Sequence, residues 1–251
     1  MPVDASRPKT DEYVLEVRDF ERTVYGRPAL RVSALTLRRG ESLAIVGMPE
    51  AEAELLLHHL TGRFLPDAGE IRLFGTPTTE LRTEAEWFPY VQRIGLYDDR
   101  WPLLEDWPVE ASLMATFAMD WSTPMDERRY AEIRTLARRV GLRPADLERP
   151  MGEAGPDIRF RVHLARALAF SPDLLILFYP TERLDGATAF ELGRLVRRVG
   201  RDLTLLLFTR DEALAAWLCR RVVSIDPATG AVREVRTQFP WWERLRQWFR
   251  A

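Results

Sequence analysis

The sequence predicts an α/β fold: a mainly parallel core sheet with helices on both faces, preceded by a β segment and interrupted by a helical insertion. Three observations carry that prediction. Short apolar runs at residues 42–46, 174–178, 203–208 and 222–225 have the length and unbroken hydrophobicity of strands buried on both faces. Between the later runs lie segments 187–199 and 212–218, whose apolar residues recur at helical spacing, so strand and helix alternate. Finally, 251 residues of which 46% are apolar suffice to bury one substantial core, or a core plus a smaller lobe.

In chain order, residues 13–20 and 29–37 are rich in β-branched and aliphatic side chains and read as an edge sheet. The run 42–46 ends at Gly47, the pattern of a buried strand entering a turn, and 55–60 reads as a helix. Segment 69–75 is a short strand bounded by glycines, whereas 85–108 mixes aromatics, prolines and acids and reads as loop-rich. Helical spacing then returns at 109–119 and 126–140, with Gly141 and Pro144 marking the end of the second helix. A basic and apolar helix over 159–170 leads through Pro172 into the strand at 174–178. No internal repeat or low-complexity tract interrupts this order.

Composition narrows the function classes. The formal net charge of -2 argues against a large nucleic-acid footprint, so no nucleic-acid partner is expected. A single cysteine, Cys219, allows no intramolecular disulfide and is compatible with a reducing cytoplasm. The first ten residues lack a signal-peptide core, and no stretch approaches the roughly 18 uncharged apolar residues of a membrane span. Lys9 is the sole lysine, so any site that needs a lysine elsewhere has none.

Several phrases occur in a telling order. They are Arg39-Gly40-Glu41-Ser42-Leu43-Ala44-Ile45-Val46-Gly47, then Pro66-Asp67-Ala68-Gly69-Glu70-Ile71, then Arg161-Val162-His163-Leu164-Ala165-Arg166-Ala167-Leu168, and Ser171-Pro172-Asp173-Leu174-Leu175-Ile176-Leu177. Over nearly the whole chain they resemble the ATP-binding-cassette (ABC) ATPase family, the nucleotide-binding subunits of ABC transporters. The resemblance implies a P-loop NTPase-like fold with an N-terminal antiparallel β subdomain. It places the ABC ATPase-like domain at residues 11–236, the helical subdomain at about 96–158, and a C-terminal amphipathic helix at 237–251.

The same alignment exposes losses. The family's phosphate loop, G-x-x-x-x-G-K-S/T, cradles phosphates with amides and lysine and holds magnesium with the hydroxyl. Here it reads Gly47-Met48-Pro49-Glu50-Ala51-Glu52-Ala53-Glu54. Glu52 stands for the second glycine, Ala53 for the lysine and Glu54 for the hydroxyl. A carboxylate about 4 Å from a phosphate charge costs on the order of 4 kcal/mol at an effective dielectric near 20. The same glutamates sit where a helix begins, and each gains roughly 0.3–1 kcal/mol from the helix dipole. They therefore read as a built-in anion replacing the phosphate.

The remaining family roles fall on equally altered positions. The acidic pair that supports magnesium and activates water aligns with Phe178 and Tyr179, the switch histidine with Arg210, and the glutamine-loop residue with Asp98 or Asp99, taken as Asp99. The signature loop reads Ala154-Gly155-Pro156-Asp157-Ile158, where proline lacks an amide hydrogen and Asp157 repels phosphate. Two family features persist. Tyr25 occupies the adenine-stacking position, with packing at a turn as its alternative, and Asp185 follows Leu184 in the loop after the catalytic strand, where it can equally cap the next helix. Tyr25 and Gly47 are thus the retained nucleotide-binding candidates.

From these residues the expectation is a member that does not hydrolyse ATP, with no cofactor required and ATP and magnesium bound weakly at most. Its implied activity is structural or regulatory, through an ABC permease or a sister ABC subunit, with dimerisation open. Trp101 and Trp107 read either as partner anchors or as a hydrophobic staple of the helical lobe. Residues 103–110 are similar in style to the subgroup serving Mla-type lipid transport. Trp241, Trp242, Leu245, Trp248 and Phe249 share one helical face in an arginine-bearing tail, which suits a membrane surface, a partner groove or the parent domain. The expected location is cytoplasmic, peripheral at the inner face of the cell membrane. Two alternatives stand beside this reading: slow hydrolysis through noncanonical residues that energises transport, and a soluble ABC-like regulatory binding protein.

Overall fold

The computed structural model describes residues 12–25, 27–117 and 126–235. Two long strands open it, β1 (Tyr13–Val24) and β2 (Arg27–Arg38), paired antiparallel with Val17 opposite Leu35. They extend beyond the apolar segments read from sequence because antiparallel strands open to solvent on one side carry polar residues without cost. β3 (Ser42–Val46) follows, then α1 (Glu50–Leu60), β4 (Ala68–Leu73) and β5 (Thr76–Pro77). The first sheet has the order β2-β1-β4-β5.

Residues 85–108 are more regular than their composition predicts. They contain α2 (Glu84–Val91) and β6 (Ile94–Asp98). A capping box, Thr83 with Glu86, starts α2, and the Trp87 indole N–H donates to the Thr61 carbonyl at 3.1 Å, docking the helix. Next come α3 (Val109–Met114), α4 (Glu127–Arg139), α5 (Pro144–Leu147) and α6 (Pro156–Leu168). The helix expected over 109–119 ends at Met114; positions 118 and 119 lie outside the described residues. β7 (Leu174–Phe178), α7 (Gly186–Val199), β8 (Thr204–Thr209), α8 (Glu212–Leu218), β9 (Arg221–Ile225) and β10 (Val232–Glu234) complete the order.

The second sheet runs β10-β9-β3-β8-β7-β6, parallel except for β10. Its strands alternate between two hydrophobic cores, as a pleated strand requires. Ala44 and Val46 of β3, Leu175 and Leu177 of β7, and Leu205 and Leu207 of β8 pack with α3, α4, α6 and α7. Leu43 and Ile45, Leu174, Ile176 and Phe178, and Leu206 and Phe208 face α1 and the first sheet. At the edge, α6 lies so close to β6 that a Cβ on Gly95 would collide with the Ala167 carbonyl oxygen. The result is the mainly parallel α/β architecture with an antiparallel N-terminal sheet that the sequence predicts. No helix among the described residues is long and apolar enough to cross a membrane.

Candidate functional site

The carboxyl ends of β3, β6, β7 and β8 converge beside the start of α1. After β3 the chain turns through Gly47, whose φ of 71° favours glycine. Pro49 caps α1 without a side-chain hydrogen bond, and Glu50 and Glu52 occupy the first turn. Negative charge there is favoured by the helix dipole. Ala53 at the lysine position is fully buried among Leu56, Leu57 and the sheet, whereas Glu54 turns toward β6.

Two arginines meet these glutamates. Arg100, just beyond β6, places its guanidinium 3.0 Å from Glu54, 3.9 Å from Glu50 and 2.7 Å from Asp98. It also lies 4.7 Å over the Phe178 ring. Arg210, just beyond β8, reaches Glu50 at 3.4 Å and Glu182 at 3.5 Å, with its guanidinium 5.4 Å from the Tyr179 ring centre. Asp99 faces Arg183 at 3.8 Å, and burial raises its carboxyl above the ordinary range despite that arginine. Around this cleft, five carboxylates face three guanidinium groups. An incoming phosphate meets a surplus of negative charge.

The two aromatic replacements close the cleft from below. Phe178 ends β7 fully buried, edge-on to Tyr179 and against Phe208. Neither ring can ligate a metal or take a proton from water at neutral pH. Tyr179 adopts a φ of 45°, its N–H donates to the Phe208 carbonyl at 3.0 Å, and its hydroxyl donates to the Met48 carbonyl at 2.7 Å. Burial, the main cause, pushes that hydroxyl's pKa up to about 12, so it stays a donor. Tyr179 thereby ties the end of β7 to the turn after β3. Tyr179→Phe is expected to cost about 1 kcal/mol by orphaning the Met48 carbonyl, measured as a lower urea midpoint with unchanged slope.

The space left is a cleft of about 60 Å³ lined by Glu50, Asp98, Asp99, Arg100, Phe178, Tyr179, Glu182 and Arg183. Small-molecule pockets are typically about 300–1,000 Å³. The charge and the volume both misfit a magnesium-bound triphosphate.

Other candidates lie apart from this cluster. Tyr25 is fully exposed at the end of β1 with a φ of 51°, so it does not pack at a turn. Asp185 caps α7, accepting from the Thr188 N–H and hydroxyl. Gly155 and Pro156 of the signature segment start α6, and Arg159 holds that loop through the Ala154 and Met151 carbonyls and Glu105. Trp101 and Trp107 are 49% and 56% exposed, so neither is a buried staple. Trp241, Trp242 and Trp248 lie outside the described residues. Sequence reasoning missed Arg100 and Glu182. The available signal was three glutamates in five residues with no lysine to neutralise them, which requires arginines from neighbouring loops.

A Gloeobacter violaceus protein described as an ABC transporter ATP-binding protein is 33% identical to this chain over 209 residues, covering 80% of each. The chain belongs to the ABC transporter ATP-binding protein family. No family model matches it. The methionine import ATP-binding protein MetN of Mesorhizobium japonicum is 32% identical over 225 residues, 88% of this chain. The chain spans 60% of that relative's length. Among solved structures, CbiO1 of Clostridium perfringens, part of the ABC transporter complex CbiONQ, superposes with a TM-score of 0.75 at 20% identity, covering 90% of this chain and 88% of that one. That likeness concerns the fold.

Proposed function

We propose that this ABC ATP-binding subunit is catalytically degenerate and acts as a structural or regulatory component of a membrane transport complex. One observation carries the reading: Glu50 and Glu54, which align with the family's phosphate loop, are ion-paired from within the chain by Arg100 and Arg210. Phe178 and Tyr179 at the carboxyl end of β7 support it, because neither supplies metal ligation or a general base. Its activity is then binding, to a permease or a sister ABC subunit, at the inner face of the cell membrane. The half-exposed Trp101 and Trp107 are the proposed anchors for that partner, and the tail tryptophans Trp241, Trp242 and Trp248 the proposed membrane contact. A lipid-related cargo is the proposed substrate class, resting on the similarity of residues 103–110 to the Mla-type subgroup.

The test is a titration of the purified chain with a fluorescent ATP analogue and magnesium, beside a conventional ABC subunit. No saturable binding is expected up to millimolar nucleotide. Tight binding with phosphate release would overturn the proposal and favour slow noncanonical hydrolysis. Co-purification with a permease separates a transporter component from a soluble regulator, which would remain alone.

A further inference from the structure

We propose that the chain carries a second binding site, for a phosphate-bearing small molecule with an apolar body, between the carboxyl ends of α7 and α8. A cavity of about 700 Å³ lies there, within the size range of small-molecule sites. It borders Ser42 at the amino end of β3, whereas the glutamate cluster follows Val46 at the other end. Along β3 that separates the two by roughly 13 Å, and the inference does not depend on the function proposed above.

The lining is charged in one sense. Arg194, Arg197, Arg198 and Arg201 recur at i, i+3, i+4 and i+7, one stripe of α7 continuing past its end, and Arg220 enters from beyond α8. No carboxylate is among the described residues that line the cavity, in a chain whose net charge is -2. Arg194 shares Glu191 at 3.3 Å, but among the described residues no carboxylate pairs with Arg197, Arg198, Arg201 or Arg220. The dipole at the end of α7 accounts for Arg197 and Arg198. Arg220 follows the end of α8, and the Ser42 hydroxyl accepts its backbone N–H at 3.0 Å, which fixes it beside β3.

Beneath the arginines the wall is apolar. Trp217 is wedged against α7 so closely that a Cβ on Gly193 would collide with its ring, and it stacks on Phe190 with centroids 5.1 Å apart. Arg197 lies 5.6 Å over that ring. Guanidinium groups on this lining offer bidentate donors to phosphate oxygens, and Leu203, Leu205 and Leu218 supply apolar wall. A phosphate ester with an acyl or similar body satisfies both surfaces, whether free in solution or as a lipid headgroup.

Calorimetric titration of the full chain tests this with three probes: inorganic phosphate, dihexanoyl phosphatidic acid below its micellar concentration, and phosphatidylcholine vesicles with or without phosphatidic acid. The soluble ester, the phosphatidic acid vesicles or both are expected to bind at least about tenfold more tightly than inorganic phosphate. Arg197→Ala and Arg220→Ala should each weaken that binding about tenfold, while Arg128→Ala on α4 leaves it unchanged. The targeted arginines border an open cavity, and urea unfolding confirms that the variants remain folded. Binding of the soluble ester alone assigns a free ligand, and binding of vesicles alone assigns a headgroup. Inorganic phosphate binding equally well, no probe binding, or variants binding like the parent would each overturn the proposal.

Discussion

Arg100→Met is expected to lower stability by about 3 kcal/mol at pH 7, the scale for removing one partner of a buried ion pair. Arg100 is the hub of the cluster. Its Nε and Nη2 hold both oxygens of Asp98, which is 5% exposed, and Nη1 serves Glu54. Those hydrogen bonds raise the Arg100 pKa above its ordinary value, consistent with a guanidinium held charged by its partners. Methionine keeps much of the side-chain stem over Phe178 but abandons the carboxylates, of which Asp98 cannot regain water. Among the described residues, its remaining donor is the Arg100 backbone N–H at 3.0 Å. Because Arg100 is 29% exposed and Glu54 40%, the Glu54 contact is screened and the Asp98 contact dominates the loss. Urea unfolding of Arg100→Met, Asp98→Asn and the double variant gives a cycle. A coupling below about 0.5 kcal/mol would mean that the cluster is a surface ion pair without structural weight.

What the sequence makes legible follows from how local the cause is. β7 at 174–178 and α8 at 212–218 are legible because an unbroken apolar run and apolar residues at helical spacing are readable without neighbours. Residues 85–108 were not, because α2 depends on the Trp87 bond to Thr61 and β6 on its pairing with β7. The candidate site divides the same way. Glu50, Glu54, Phe178, Tyr179 and Arg210 are found by alignment to a spaced motif, but their mutual relations are not. Arg100 joins them only because β6 sits beside β7, with Asp98 opposite Phe178, while α1 starts across the cleft. The hydroxyl of Tyr179 could be assigned no partner before the turn at Met48 was placed in space.

A second large effect is expected from His163, in acid. This side chain of α6 is 6% exposed, with the Tyr97 ring centred 5.9 Å away. Burial chiefly, and then the charge of Arg166, depresses its pKa from 6.5 to about 4, with Asp98 opposing and Arg159 adding to the shift. The native state therefore keeps the imidazole neutral where the unfolded chain protonates it. Between pH 6.5 and 4 the unfolded state binds more protons, so the contribution of this group is present above 6.5 and is lost as pH falls through about 4. The window corresponds to about 3 kcal/mol. His163→Leu removes the titration while retaining an apolar body against Tyr97. Its unfolding free energy should therefore fall less steeply with acid, the wild type losing about that amount relative to the variant from pH 7 to pH 4. Parallel curves over that interval would mean that His163 takes up its proton in the folded state, through water or a carboxylate reaching the α6–β6 interface. Asp98 is the nearest candidate for that second role, which links the two predictions: in Arg100→Met, an unpaired Asp98 would favour protonated His163, raise its folded pKa and flatten the acid limb of that variant as well.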